Sequence, residues 1–141
     1  MSSRELCRII NFKDLGDERG KLVVIEGGGI DIPFDIKRVF YIYGSDSDVV
    51  RGKHANRNSE FILVNVAGKS KVMVTDSADK KVIELNRPME AIYIPKMIWK
   101  EMYDFSPDSV LLCITNTHYD GKEYIRDFDE YKRIMNSNSD V

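Results

Sequence analysis

Short runs of apolar and β-branched residues recur along the chain, separated by clusters of turn-forming residues about every eight to twelve positions. CRIINF (7–12), LVVIE (22–26), IKRVFYIY (36–43), EFILVNV (60–66), SKVMVT (70–75), KVIEL (81–85), AIYI (91–94) and SVLLCIT (109–115) each read as strands. On 36–43, Ile36, Arg38, Phe40 and Ile42 share one face and Lys37, Val39, Tyr41 and Tyr43 the other. DLGDERGK (14–21), the glycine triplet 27–29, GSDSD (44–48), DSADK (76–80) and Asn86-Arg87-Pro88 supply the turns. Pro33 suits an edge or a crossing between sheets. PKMIWKEMYD (95–104) leads into the apolar run at 109–115. Residues 122–135 carry Tyr124, Ile125, Phe128, Tyr131 and Ile134 near helical spacing and predict a short helix.

Eight to ten short strands and one terminal helix predict an all-β sandwich or barrel. The series Gly52-x-His54-x-Asn56-x-x-x-Glu60 before a strand, followed by Pro95-x-x-x-Trp99, has the rhythm of a cupin jelly roll. The 141 residues fit a single domain, 1–141, with a real core, and 43% apolar content excludes a disordered chain. A net charge of -2 with interleaved signs argues against nucleic acid as partner. No segment has the length and apolarity of a membrane span or the design of a signal peptide, so the expected location is cytoplasmic. Cys7 and Cys113 lie in apolar runs and are expected as reduced core residues, neither beside a histidine.

The chemistry concentrates in RGKHANRNSEF (51–61), which holds one of only two histidines. A metal-binding cupin places H-x-H on one strand face, a glutamate beyond it and a third histidine later. Here Asn56 takes the second position and Lys100 the late one, leaving His54 and Glu60, too few for a transition metal. No metal and no other cofactor is therefore expected. Arg19, Arg51, Arg57, Lys100 and His54 instead make a cationic set suited to a diphosphate. His54 is the natural general base. Trp99 reads as a core or pocket-wall aromatic, Glu60 as a hydrogen-bonding group, and His118 as a loop residue.

Four blocks in order, IDIPFDIKRVFYIY, RGKHANRNSEFILVNVAGKSKV, PKMIWKEMYDFSPDSVLLCI and YDGKEYIRDFDEY, make nearly the whole chain resemble the sugar 3,4-ketoisomerases that act on dTDP-4-keto-6-deoxyglucose. The resemblance implies a homodimeric jelly roll with exchanged strands and a metal-free isomerisation. The keto group moves from carbon 4 to carbon 3 of a dTDP-linked 4-keto-6-deoxy sugar, in a route to 3-amino-3,6-dideoxy sugars of bacterial surface glycans. The family's R-G-x-H falls on Arg51, Gly52 and His54, with His54 as the base at carbon 3. Tyr41 is the expected acid or hydrogen-bond partner. Arg38, Arg51 and Asn56 are expected to bind substrate. Arg19 and Lys100 match variable positions that bear on which face of carbon 4 receives the proton. The two do not agree, so the configuration at carbon 4 stays open. Members of the family carry H-x-H where this chain carries H-x-N. Asn56 therefore keeps a second reading in play, a non-catalytic dTDP-sugar-binding cupin.

Overall fold

The computed structural model describes residues 7–139. Ten strands form in chain order: β1 (Arg8–Asn11), β2 (Arg38–Tyr43), β3 (Arg51–Asn56), β4 (Phe61–Ala67), β5 (Ser70–Thr75), β6 (Lys80–Leu85), β7 (Glu90–Ile94), β8 (Trp99–Tyr103), β9 (Val110–Thr115) and β10 (Tyr124–Ile125). A helix, α1 (Phe128–Ser139), closes the chain. The strands build two antiparallel sheets, ordered β1-β7-β4-β9-β2 and β10-β3-β8-β5-β6. This is the all-β architecture that the alternation and turn chemistry predict.

The main core lies between the sheets. Phe61 and Leu63 of β4, Leu111 and Cys113 of β9 and Ile92 and Ile94 of β7 meet Val72 and Val74 of β5, Leu85 of β6 and Met102 of β8. Two further clusters cover the outer faces. Ile62, Val64, Ala91 and Ile114 face outward beneath Phe12, Ile32 and Phe34 of the N-terminal segment. Burial on both faces explains why 61–64 of β4 read as an apolar run. On the other sheet, Ala55, Met73, Trp99 and Ile125 pack under Tyr131 of α1. No helix among the described residues is long and apolar enough to cross a membrane.

The structure departs from the sequence reading in three respects. LVVIE (22–26) is not a strand; only an isolated bridge, Asp14 to Val23, ties it down. Its Val23 and Ile25 lie against the N-terminal cluster without a strand alongside. Two strands carry too many polar residues to show by alternation: β3, RGKHAN, and β8, WKEMY. In β8, Trp99 faces α1 while Lys100 faces the space between the sheets. The helix starts at Phe128 and not at Lys122, because Tyr124 and Ile125 pair with Asn56 and Ala55 of β3. Asp127 then caps α1, its side chain accepting the Asp129 N–H at 2.9 Å.

Tyr131 pins α1 to the second sheet. Its hydroxyl donates toward the carbonyl oxygens of Thr75 and Met97, at 3.0 and 2.8 Å. Tyr131→Phe leaves these buried acceptors short of a donor and is expected to cost about 1–2 kcal/mol. Thermal unfolding should show a midpoint lower by about 3–6 °C; an unchanged midpoint would show that the hydroxyl contributes nothing.

Candidate active site

β3 and β8 are neighbours, and their register decides which side chains face inward. Arg51 pairs with Met102 and Gly52 with Glu101; the register then shifts, and His54 pairs with Lys100. Gly52 and Lys53 both take left-handed backbone, with φ of 84° and 55°. Lys53 is the extra residue of a β-bulge, a device that re-aims side chains beside a site. Without it His54 would stand opposite Trp99, on the face covered by α1. Gly52 is required here, since a Cβ would lie 3.0 Å from the Lys100 carbonyl oxygen.

A cavity of about 200 Å³ opens between the sheets at this point. Arg51, Gly52, His54, Lys100, Met102 and Tyr124 line it from one sheet, and Phe40, Tyr41, Ile42, Phe61, Leu63 and Cys113 from the other. Lys100 is buried, its ammonium 4.3 Å from the centre of the Phe61 ring. The same nitrogen donates to Asn56 Oδ1 at 2.9 Å, and Asn56 Nδ2 donates to Glu123 Oε2 at 2.9 Å. Glu123 further accepts the N–H groups of Asn58 and Ser59, at 2.9 and 3.0 Å, and the Ser59 hydroxyl. A cation and a carboxylate are thus joined through one amide.

The electrostatics follow from burial. Burial pushes the His54 imidazole down to about 3, helped by the cations of Lys100 and Arg126 and opposed less strongly by Asn56 and Glu123. The ring is neutral near pH 7, its Nδ1 is buried without a hydrogen-bond partner, and its edge meets Tyr124 at a centroid distance of 4.8 Å. Burial also brings Lys100 down to about 7, against the pull of Glu123. Burial raises the Glu123 carboxyl, but the bonds from Ser59, Asn58 and Asn56 outweigh this and hold it below its usual range. The arrangement joins a neutral base to a cation able to give up a proton.

The expected residues divide accordingly. His54, Arg51 and Lys100 converge on the cavity. Asn56 does not present a free amide, since Lys100 and Glu123 engage both its ends. Arg38 turns inward on β2, its Nε and Nη2 buried without a partner and its guanidinium 5.6 Å from the Tyr119 ring. Thr115, its register partner, has a buried hydroxyl that is equally unpartnered.

Two of the expected residues stand apart from these. Tyr41 borders the cavity but is 62% exposed, on the outer face with Val39 and Tyr43, its ring 6.0 Å from that of Tyr43. Alternation that points Arg38, Phe40 and Ile42 inward necessarily points the Tyr41 phenol away from His54. Arg19 lies in the hairpin at 17–20, exposed and paired with Asp17 at 2.7 Å, outside the cavity. Arg57 is exposed as well, and Trp99 is a core residue under α1. Glu60 is taken up by Tyr93 and Asn116. Sequence reasoning missed Glu123 and Tyr124, which it placed in a helix. In the structure Glu123 ends a short 3-10 helix, Gly121–Glu123, capped by Asp120, and Tyr124 opens β10.

Comparison with known proteins supplies the context. The model of the family described as FdtA, WxcM-like, C-terminal, matches residues 5–136. A TDP-4-oxo-6-deoxy-alpha-D-glucose-3,4-oxoisomerase of Aneurinibacillus thermoaerophilus is 39% identical over 128 residues, 91% of each chain. The 3,4-ketoisomerase QdtA of Thermoanaerobacterium thermosaccharolyticum, solved as a histidine-to-asparagine mutant with TDP-4-keto-6-deoxyglucose, superposes with a TM-score of 0.90 at 39% identity, over 94% of this chain and 95% of that one. WlaRA, a TDP-fucose-3,4-ketoisomerase of Campylobacter jejuni, gives 0.88 at 43% identity, over 93% and 96%. A dTDP-4-dehydrorhamnose 3,5-epimerase of Bacillus anthracis, 12% identical, shares the fold alone at 0.73. With the family model covering residues 5–136 and the ketoisomerase relatives matching over nine tenths of the chain, the chain belongs to the FdtA, WxcM-like family of sugar 3,4-ketoisomerases.

Proposed function

We propose that this chain moves the keto group of a dTDP-linked 4-keto-6-deoxyhexose from carbon 4 to carbon 3, with His54 as the base that takes the carbon 3 proton. The observation that carries this is the buried, neutral imidazole of His54 opposite the buried cation Lys100 in the cavity between the sheets. The carbonyl at carbon 4 acidifies the hydrogen on carbon 3, and a cation beside the developing enediolate lowers the barrier further. Arg51 and Arg38 are the anchors for the diphosphate. The bare Nε and Nη2 of Arg38, beside the Tyr119 ring, suit a doubly charged group near an aromatic wall.

Protein incubated with dTDP-4-keto-6-deoxyglucose in deuterated water should exchange the hydrogen at carbon 3 and yield a 3-keto product by NMR. Absence of both overturns the reading. Binding without conversion in calorimetry would favour the non-catalytic sugar-nucleotide cupin that Asn56 suggests. A histidine of ordinary pKa would cost activity below about pH 6.5. His54 is already neutral down to about 3, so kcat/KM should show no such acid limb between pH 7 and 5 while circular dichroism remains native. A tenfold fall per pH unit across that range would contradict the assignment.

The dimer with exchanged strands belongs to the same proposal. Val39, Tyr41 and Tyr43 of β2, with Leu22 and Val24 of the N-terminal segment, are exposed apolar surface that a second copy would cover. The product would supply an aminotransferase making 3-amino-3,6-dideoxy sugars for surface glycans. A cytoplasmic location belongs to this reading too.

A further inference from the structure

The two walls of the cavity differ in kind. His54, Lys100 and Tyr124 come from β3, β8 and β10, all in one sheet. The facing wall presents Phe40, Tyr41, Ile42, Phe61, Leu63 and Cys113. Of its ionisable groups, the Cys113 thiol is pushed up by burial to about 12, and the Tyr41 phenol is exposed on the outer face of the sheet. Among the described residues of that wall, none aims a readily exchanged proton into the cavity. His54 and Lys100 are also directly paired in register, which sets their Cβ atoms about 5 Å apart on one face. A sugar ring lying across them meets both from the same side.

We propose that the proton taken from carbon 3 returns to carbon 4 on the same face of the ring, with Lys100 serving the two sugar oxygens, so that the product has the galacto configuration. This rests on the isomerase reading above. The steps balance. His54 takes the carbon 3 proton, the C–H electrons form the carbon 3–carbon 4 double bond, and the carbonyl electrons move onto the carbon 4 oxygen. That oxygen takes a proton from the Lys100 ammonium, giving the enediol and a neutral amine. The amine then removes the proton of the carbon 3 hydroxyl and the new carbonyl forms at carbon 3. The double-bond electrons capture the proton from the His54 imidazolium at carbon 4. Both side chains end as they began. In a gluco sugar the hydrogens on carbons 3 and 4 point to opposite faces. Return on the face that carbon 3 lost its proton from therefore inverts carbon 4 relative to gluco.

Asn56 and Glu123 are positioning residues in this scheme. The amide fixes the ammonium at 2.9 Å, and the carboxylate fixes the amide at 2.9 Å. The groups facing Lys100 are His54 from β3, Glu123 before β10, Cys113 from β9 and Cys7 before β1. Only Glu123 among them carries a charge near neutrality, and it favours the ammonium that the first step needs.

The test is the configuration of the product. Purified protein is given TDP-4-keto-6-deoxyglucose, and the first product formed is read by proton NMR. A small coupling between the hydrogens on carbons 4 and 5 marks galacto and a large one gluco. Galacto is the expected result. Gluco, or a mixture from the earliest points, overturns the inference while leaving the isomerase reading intact. No product of either kind overturns the isomerase reading and this inference with it. Lys100→Met should lower kcat by about a hundredfold or more, with TDP affinity within about twofold. Unchanged kcat would remove Lys100 from the scheme. Should that variant fail to fold, the product of the unaltered chain still decides the matter.

Discussion

His54→Asn is expected to lower kcat by about a thousandfold while TDP binding persists. Asparagine keeps a planar polar group at the position but cannot accept and return a proton. The fold should tolerate the change, because His54 Nδ1 makes no hydrogen bond that would be lost. What disappears is the edge contact with the Tyr124 ring at 4.8 Å, worth about 1 kcal/mol. Single-turnover kinetics, calorimetry with TDP and a thermal melt together separate the possibilities. Retained turnover would remove His54 from the mechanism. Lost binding together with lost turnover would make it a structural residue.

Glu123→Ala carries the largest expected cost in stability. The carboxylate accepts from Asn58 N–H, Ser59 N–H, Asn56 Nδ2 and the Ser59 hydroxyl. It is also the anion that balances buried Lys100. Alanine leaves these donors unpaired and the ammonium uncompensated, a loss of about 3–5 kcal/mol. That is a large share of the about 5–15 kcal/mol typical of a whole protein. Denaturant unfolding should show a lower midpoint at an unchanged slope. A cost under about 1 kcal/mol would mean that water replaces the carboxylate. The sign with pH follows from the lowered carboxyl. Its contribution is present above the ordinary value of 4.5 and is lost as pH falls through the lower folded value. Glu123→Ala should therefore lose less stability on acidification than the parent.

The two experiments probe one small region from opposite ends. Segment 121–125 carries Glu123, which fixes Lys100 through Asn56, and Tyr124, which lies against His54. A residue expected to set stability and a residue that flanks His54 are thus adjacent in sequence. Loss of Glu123 should also disturb Tyr124, and kcat should fall even under conditions where the fold survives.

Local chemistry alone determined much of this. Alternation and turn residues marked eight of the segments, seven of which are strands in the structure. The polar break at RGKHANRNSEF pointed to the stretch whose Arg51, Gly52 and His54 line the cavity, and Asn56 and Lys100 stood out as residues unlike those of a metal cupin. The rest depended on register, which one strand cannot reveal about itself. Alternation gave Tyr41 and Phe40 opposite faces, but only the pairing of β2 with β9 and the core beneath decided that Phe40 points inward. The bulge at Lys53 moves His54 from the Trp99 side to the Lys100 side, a change of face made by one residue. The contact of Asn56 with Glu123 spans 67 positions, and that with Lys100 spans 44. No periodicity encodes such contacts, because they exist only once two sheets have closed and a C-terminal strand has added itself to β3.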